Sequence, residues 1–312
     1  MEWTEKALRE AKGRVQQKLL EAHLDAYRFL SPEPEEAGEF VRSILVVLFP
    51  YYAGNYAEDA NLSLYCRGMD YHAVVPKYLN PIGEAAKELL GENFAYAAYA
   101  DTGPLRDRYL ALRAGLGVIG RNQMLIHPEY GSYFFIGYMT FSAPFAADEL
   151  PEDAKERVRR SLGSAALAAA GEGGQELSAG QAGRAAELGC LNCGLCVRSC
   201  PGGAMLKDGG FLAERCRSGI TQKKGELSEE ELVILKKDTM IFGCDICQTV
   251  CPMNRNVKLS QIPEFTENRI DKLTAPDLEG LSNRTFKEKY PERAFTWRGP
   301  EVLRRNLRIL AD

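Results

Sequence analysis

The 312-residue chain sets 39 Lys and Arg against 43 Asp and Glu, a net charge of −4, with 45% hydrophobic residues. That balance excludes a disordered chain and a uniformly basic nucleic-acid coat, though not a local basic patch. No apolar run approaches the roughly 18 residues of a membrane span, and the N-terminus MEWTEKALREAKGR lacks an export signal's apolar stretch, so a cytoplasmic protein with no membrane partner is expected.

In chain order, apolar residues at helical spacing from Met1 to Leu30 predict an amphipathic helix, or two, ending at the Ser31-Pro32-Glu33-Pro34 breaker. Ser43 to Tyr52, a continuous run rich in branched residues, predicts a buried strand. Arg67, Asp70 and His72 precede or open a helical stretch, Tyr71 to Leu90, interrupted at Pro76 and Pro81. His72 is a candidate cofactor contact or a hydrogen-bonded core histidine; His23 and His127 carry no supporting neighbours.

Phe94 to Ala100 reads as a strand delivering Asp101 to its end, with a helix following through Ala114. At a pocket mouth with little solvent, such a carboxyl group can serve as a general acid; alternatively, Asp101 caps the following helix. Gly115, Gly117 and Gly120 punctuate a loop ending in Arg121 and Asn122. Its amides suit a phosphate or amide of a cofactor, or its glycines simply turn the chain. A helix before it and strands after it argue against a dinucleotide fingerprint. Met124 to His127 and Tyr133 to Phe141, joined by Pro128 to Gly131, read as a hairpin.

Ala146 to Gly189 turns Ala- and Gly-rich, a linker or excursion that is partly helical, with disorder expected within 171–180. Beyond it lie eight of the nine cysteines. Cys190, Cys193, Cys196 and Cys200-Pro201 follow C-x2-C-x2-C-x3-C-P, the bacterial run for [4Fe-4S] clusters, in which the cysteine before proline ligates the neighbouring cluster. Cys244, Cys247 and Cys251-Pro252 form a second, shortened copy whose missing thiolate is most simply Cys216. One cluster thus takes Cys190, Cys193, Cys196 and Cys251; the other takes Cys216, Cys244, Cys247 and Cys200. A zinc site or a disulfide framework is the alternative, but zinc sites close with four ligands and rarely use that ending. Cys66 reads as a partly buried, unpaired residue. The tail closes with Trp297, Arg298, Arg304, Arg305 and Arg308 on a basic amphipathic segment, which can meet nucleic-acid phosphate or remain a solvated face.

Taken together, RGMDYH (67–72), DTGPLRDRYLALRAGLGVIGRN (101–122), GSYFFIG (131–137), the first cysteine run, Cys216 with TQKKG (221–225) and GCDICQTVCPMNR (243–255) resemble the epoxyqueuosine reductase family. The resemblance implies an α/β (α+β) cobalamin-binding catalytic domain, reductive-dehalogenase-like, over 1–145. After the 146–189 excursion it implies a ferredoxin-like domain with two [4Fe-4S] clusters over 190–258. A short helical tail over 259–312 follows, ending before the HEAT-like repeats common in the family. It further implies base-off cobalamin between the α/β domain and the clusters, contacted by Arg67, Asp70, His72, Arg121, Asn122, Leu125, Ser132, Ile136, Thr221, Gln222 and Asp245. Asp101 matches the proton donor, and Lys223 falls where cofactor and tRNA meet; Arg304 and Arg305 are the expected phosphate contacts of the tail.

The expected reaction reduces the epoxide of epoxyqueuosine in the tRNA anticodon stem-loop to queuosine, by a monomer fed from a low-potential electron donor. A reductase of another small electrophile, such as an organohalide, and a non-catalytic electron-transfer module are the alternatives.

Overall fold

A computed structural model of the chain describes residues 3–38, 40–54, 57–152, 154–156, 158, 190–206 and 209–311. The expected disorder of 171–180 and most of the 146–189 excursion lie outside these residues. The chain forms two compact units: Met1–Pro50 with Tyr71–Val118 and Phe134–Ser161, and Tyr51–Asp70 with Ile119–Tyr133 and Leu162–Asp312. This division differs from consecutive segments, because residues 51–70 and 119–133 group with the cysteine-rich part and 259–312 is no separate tail.

The first unit is built on a four-stranded antiparallel sheet in the order β1 (Tyr27–Leu30), β2 (Ser43–Pro50), β6 (Phe134–Phe141), β3 (Tyr96–Ala100). All eight residues of β2 are buried, which explains its unbroken apolar run. Helix α1 (Glu5–Glu21) packs on α3 (Tyr71–Leu90), α3 on β3 and β6, and α4 (Asp107–Arg113) on β2 and β6. The helix expected up to Leu30 ends at Glu21. His23 takes a left-handed φ of 57°, and Tyr27 to Leu30 then enter the sheet, where Asp148 accepts a hydrogen bond from Phe29 N at 2.9 Å.

Helix α3 runs through both of its prolines without a break. Each proline lacks the N–H that would reach the carbonyl four residues earlier, at His72 and Lys77, and both of those residues are exposed. The hairpin expected around Pro128 to Gly131 is not formed by the two apolar runs. Leu125–Ile126 (β5) pairs with Val118–Ile119 (β4) in a small separate sheet, whereas β6 pairs with β2 and β3; only a bridge between His127 and Gly131 remains of the turn.

Gly137 lets α3 approach the sheet closely. A Cβ there would lie 2.6 Å from Val75 Cγ1 and 2.9 Å from the Phe49 ring. Gly137→Ala is therefore expected to cost about 1–3 kcal/mol by overpacking, read as a lowered thermal midpoint with unchanged iron content.

In the second unit, residues from the end of the chain supply much of the core. Leu62, Cys66, Ile241 and Phe242 are buried together with Leu273, Leu278, Phe286, Phe295 and Leu303. Asn61 exchanges two hydrogen bonds with Leu273, at 2.7 and 2.9 Å, and Asn306, fully buried on the helix Pro300–Ala311, donates to Thr221 O and Ile241 O, both at 2.7 Å.

Candidate iron–sulfur centre and acid site

The cysteine runs fold as two similar pieces. Gly194, at a left-handed φ of 69°, starts the short helix Leu195–Ser199 that carries Cys196, and Ile246–Thr249 carries Cys247; these helices pack on each other. Cys200, Cys216 and Cys251 each sit at a helix boundary in extended backbone, with ψ between 117° and 122°, pointing the chain away from the preceding turn.

Mutual repulsion identifies which thiols are neighbours. Burial raises the Cys251 thiol above its usual range, and Cys190 and Cys193 raise it further; burial, then Cys190, Cys251 and Cys193, do the same to Cys196. Cys247 is raised by burial and then by Cys244, Cys216, Cys196 and Cys200, while burial brings Cys244 to about 11. Cys251 thus lies near thiols of the first run, and Cys216 and Cys200 lie near Cys247, which Cys196 of the first run also approaches. Eight crowded thiols of this kind fit a cationic iron cluster chemically, since bound metal favours the thiolate. Among the described residues no three His, Cys, Asp or Glu side chains close around a single ion.

A cavity beside the first set is lined by Arg121, Asn122 and Ile126 together with Cys190, Cys193, Cys196 and Cys251. Asn122 is 6% exposed; its Oδ1 accepts from Met124 N at 3.2 Å, and its buried Nδ2 has no partner. Leu125 is buried in β5 nearby in sequence.

Beside the second set, Asp245 is buried and accepts from Ser63 Oγ and, at 2.8 Å, from Leu64 N. Gly243 is needed for this approach, because its φ is 79° and a Cβ would strike Ser63. Thr221 Oγ1 accepts from Gly243 N at 2.9 Å, and Gln222 Nε2 donates to Ser218 O at 3.0 Å. Ser132 belongs to a buried network in which Gln248 Nε2 donates to its Oγ at 3.0 Å and to Tyr51 OH, while Asn254 both donates to and accepts from it. Burial, then the Asp245 charge, pushes the Tyr51 phenol well above its ordinary range. Ser63, Tyr51, Gln248 and Asn254 escaped sequence reasoning, although the last two lie within the GCDICQTVCPMNR stretch. Arg67 is buried, donating to Leu62 O at 2.7 Å and to Asp271, and Asp70 N donates to Glu292 O.

In the first unit, Asp101 ends β3 with a left-handed φ of 60°. Its N–H donates to Asp107 Oδ2 at 2.7 Å, and its Oδ2 lies 3.7 Å from His72 Nε2. Asp101 does not cap the next helix, whose N-cap is Arg106, and its side chain is 68% exposed rather than shielded from solvent as expected. Burial raises the Asp107 carboxyl above the usual range, against the effect of its hydrogen bond from Asp101 N. Gly103 lies against Tyr138, where any Cβ would meet the phenol oxygen, and that oxygen accepts from Leu105 N at 3.0 Å, so the loop has one tight path. Ile136 is half-buried on β6.

Of the tail's basic residues, Arg304 and Arg305 are turned inward, whereas Arg308 is exposed. Arg305 donates to Lys223 O and Gly225 O at 2.7 and 2.5 Å, Arg304 to Leu278 O and Leu281 O, and Lys223 pairs with Glu231 at 2.8 Å. Trp297 is 53% exposed with the Arg298 guanidinium 3.5 Å over its ring, and its indole N–H donates to Gln222 Oε1.

Residues 32–102 match the family profile described as "Epoxyqueuosine reductase QueG, DUF1730", and residues 189–254 match "4Fe-4S double cluster binding domain". The chain is 35% identical over 243 residues to an epoxyqueuosine reductase of Lactococcus garvieae, covering 77% of this chain and 58% of that relative. It is 33% identical over 247 residues to one of Bacillus subtilis, covering 78% and 54%. It therefore spans little more than half the length of these curated relatives. A crystal structure of selenomethionine-labelled epoxyqueuosine reductase aligns with a TM-score of 0.73 at 26% identity, covering 97% of this chain and 81% of that one. Another, of an epoxyqueuosine reductase with an epoxyqueuosine-modified tRNA-Tyr stem loop, aligns with a TM-score of 0.73 at 25% identity, covering 97% and 81%. With both profiles, the sequence relatives and the shared fold in agreement, the chain belongs to the epoxyqueuosine reductase family.

Proposed function

We propose that this chain reduces the epoxide of epoxyqueuosine in tRNA to queuosine, using two [4Fe-4S] clusters and base-off cobalamin. The observation that carries the reading is the gathering of eight cysteines into two sets within a chain that also presents Asp101 on a constrained loop at a strand end. Cys190, Cys193, Cys196 and Cys251 hold the first cluster; Cys200, Cys216, Cys244 and Cys247 hold the second. The clusters supply single electrons, and cobalamin supplies a strongly reducing cobalt centre.

Of the residues assigned to the corrin, Ser132, Thr221, Asp245 and Arg67 are committed to hydrogen bonds inside the protein, so their part is to fix the wall. Half-exposed Arg121 and exposed His72 offer polar groups at the surface. Deoxygenation breaks two C–O bonds, takes up two electrons and two protons, and releases water with an alkene. Asp101 gives one proton to the departing oxygen, and solvent gives the other.

For tRNA, Arg305 holds the backbone at Lys223 and Gly225, and Arg304 holds that at Leu278 and Leu281. Trp297 and Arg298 supply an aromatic and a cationic contact for bases and phosphate. The test is anaerobic incubation of the reconstituted, reduced protein, with and without cobalamin, with an epoxyqueuosine-containing anticodon stem-loop. Queuosine detected by mass spectrometry only when cobalamin is present is the expected result. No product in either arm, with both clusters reduced, overturns the reading.

A further inference from the structure

We infer that the side-chain amide of Asn122 donates a hydrogen bond to a sulfur of the first cluster and sets that cluster's reduction potential above that of an otherwise identical site. This rests on the reading of Cys190, Cys193, Cys196 and Cys251 as cluster ligands.

Three observations lead to it. Asn122 is 6% exposed, yet its Nδ2 has no hydrogen-bond partner, and a buried amide donor left unpaired is costly enough that it ordinarily marks a missing acceptor. Met124 N occupies Oδ1 at 3.2 Å, and Gly120 leaves Oδ1 its room, since a Cβ there would stand 2.7 Å from that oxygen. The amide is thereby fixed with Nδ2 as its available end. Finally, Asn122 lines the same cavity as all four thiols of the first set. Sulfur is the acceptor such a cavity offers, either as a thiolate or as an inorganic sulfide of the cluster.

The direction of the effect follows from charge. Reduction adds one negative charge to the cluster, so a donor aimed at its sulfur stabilises the reduced form more than the oxidised one. Removing the donor favours the oxidised form by about tenfold, which is about 59 mV downward for a one-electron couple.

The test is a potentiometric titration of the anaerobically reconstituted full chain, followed by electron paramagnetic resonance, comparing native protein with Asn122→Leu. One of the two midpoints is expected to fall while the other and the iron content stay unchanged. In the native protein, 15N placed in the asparagine side-chain amide is expected to show a hyperfine coupling to a reduced cluster. This second measurement stands even where the variant fails to take up iron. Unchanged midpoints in a variant with full iron, or no side-chain 15N coupling in the native protein, overturns the inference. Absence of any four-iron signal in the native protein would instead defeat the reading of the cysteines.

Discussion

Cys216→Ala is expected to halve the iron content after anaerobic reconstitution, from about eight to about four irons per chain, leaving one cluster's spectrum in place. The cysteine runs alone provide seven thiols, one short of two complete sets. Two thiols outside both runs, Cys66 and Cys216, were open as the eighth. Cys66 is fully buried, its Sγ donates to Ser63 O at 3.1 Å, and burial holds its thiol well above the usual range. Cys216 instead begins the helix Arg217–Gln222 close enough to Cys247 to raise its thiol. Cys66→Ala is therefore the control, retaining all the iron at a modest cost in packing. Iron that stays near eight in the Cys216 variant and falls in the Cys66 variant would reverse the assignment.

Asp101→Ala is expected to lower turnover of epoxyqueuosine in tRNA by about 10²–10⁴-fold, the usual worth of a positioned proton donor, with iron content and tRNA affinity preserved. The side chain is exposed and leaves the fold's core untouched, so the loss would not come from unfolding. Its position depends on three things: the left-handed backbone at Asp101, the carboxylate of Asp107 receiving its N–H, and the lack of room for a side chain at Gly103. A variant that turns over at the native rate would leave Asp101 as no more than a neighbour of His72.

The double-cluster domain of residues 189–254 was legible because cysteine spacing is a local property of the chain. Strand β2 was legible too, since a run such as SILVVLFP has few alternatives once it is buried on all sides. Partnership across the sequence was not. The two apolar runs flanking Pro128 look like a hairpin at short range, yet β6 is claimed by the longer ladders of β2 and β3. Likewise, nothing in the periodicity of 1–30 separates Tyr27 to Leu30 from the helix before it. The strand is set by its pairing with Ile44 to Val47. Asp107 was passed over because a charged residue opening a helix is common, and its link to Asp101 shows only in three dimensions. Arg304 and Arg305 were misleading for a related reason: a basic stripe does not say whether guanidinium groups face water or the carbonyls of a neighbouring turn.

The amide of Asn306 spans Thr221 O, in the helix that Cys216 opens, and Ile241 O, three residues before Cys244. Half of the second thiol cradle is thus stapled by protein alone, independent of iron. On the proposed ligand assignment, oxidative loss of a cluster there would leave these two bonds in place, and repair becomes a matter of refilling rather than refolding.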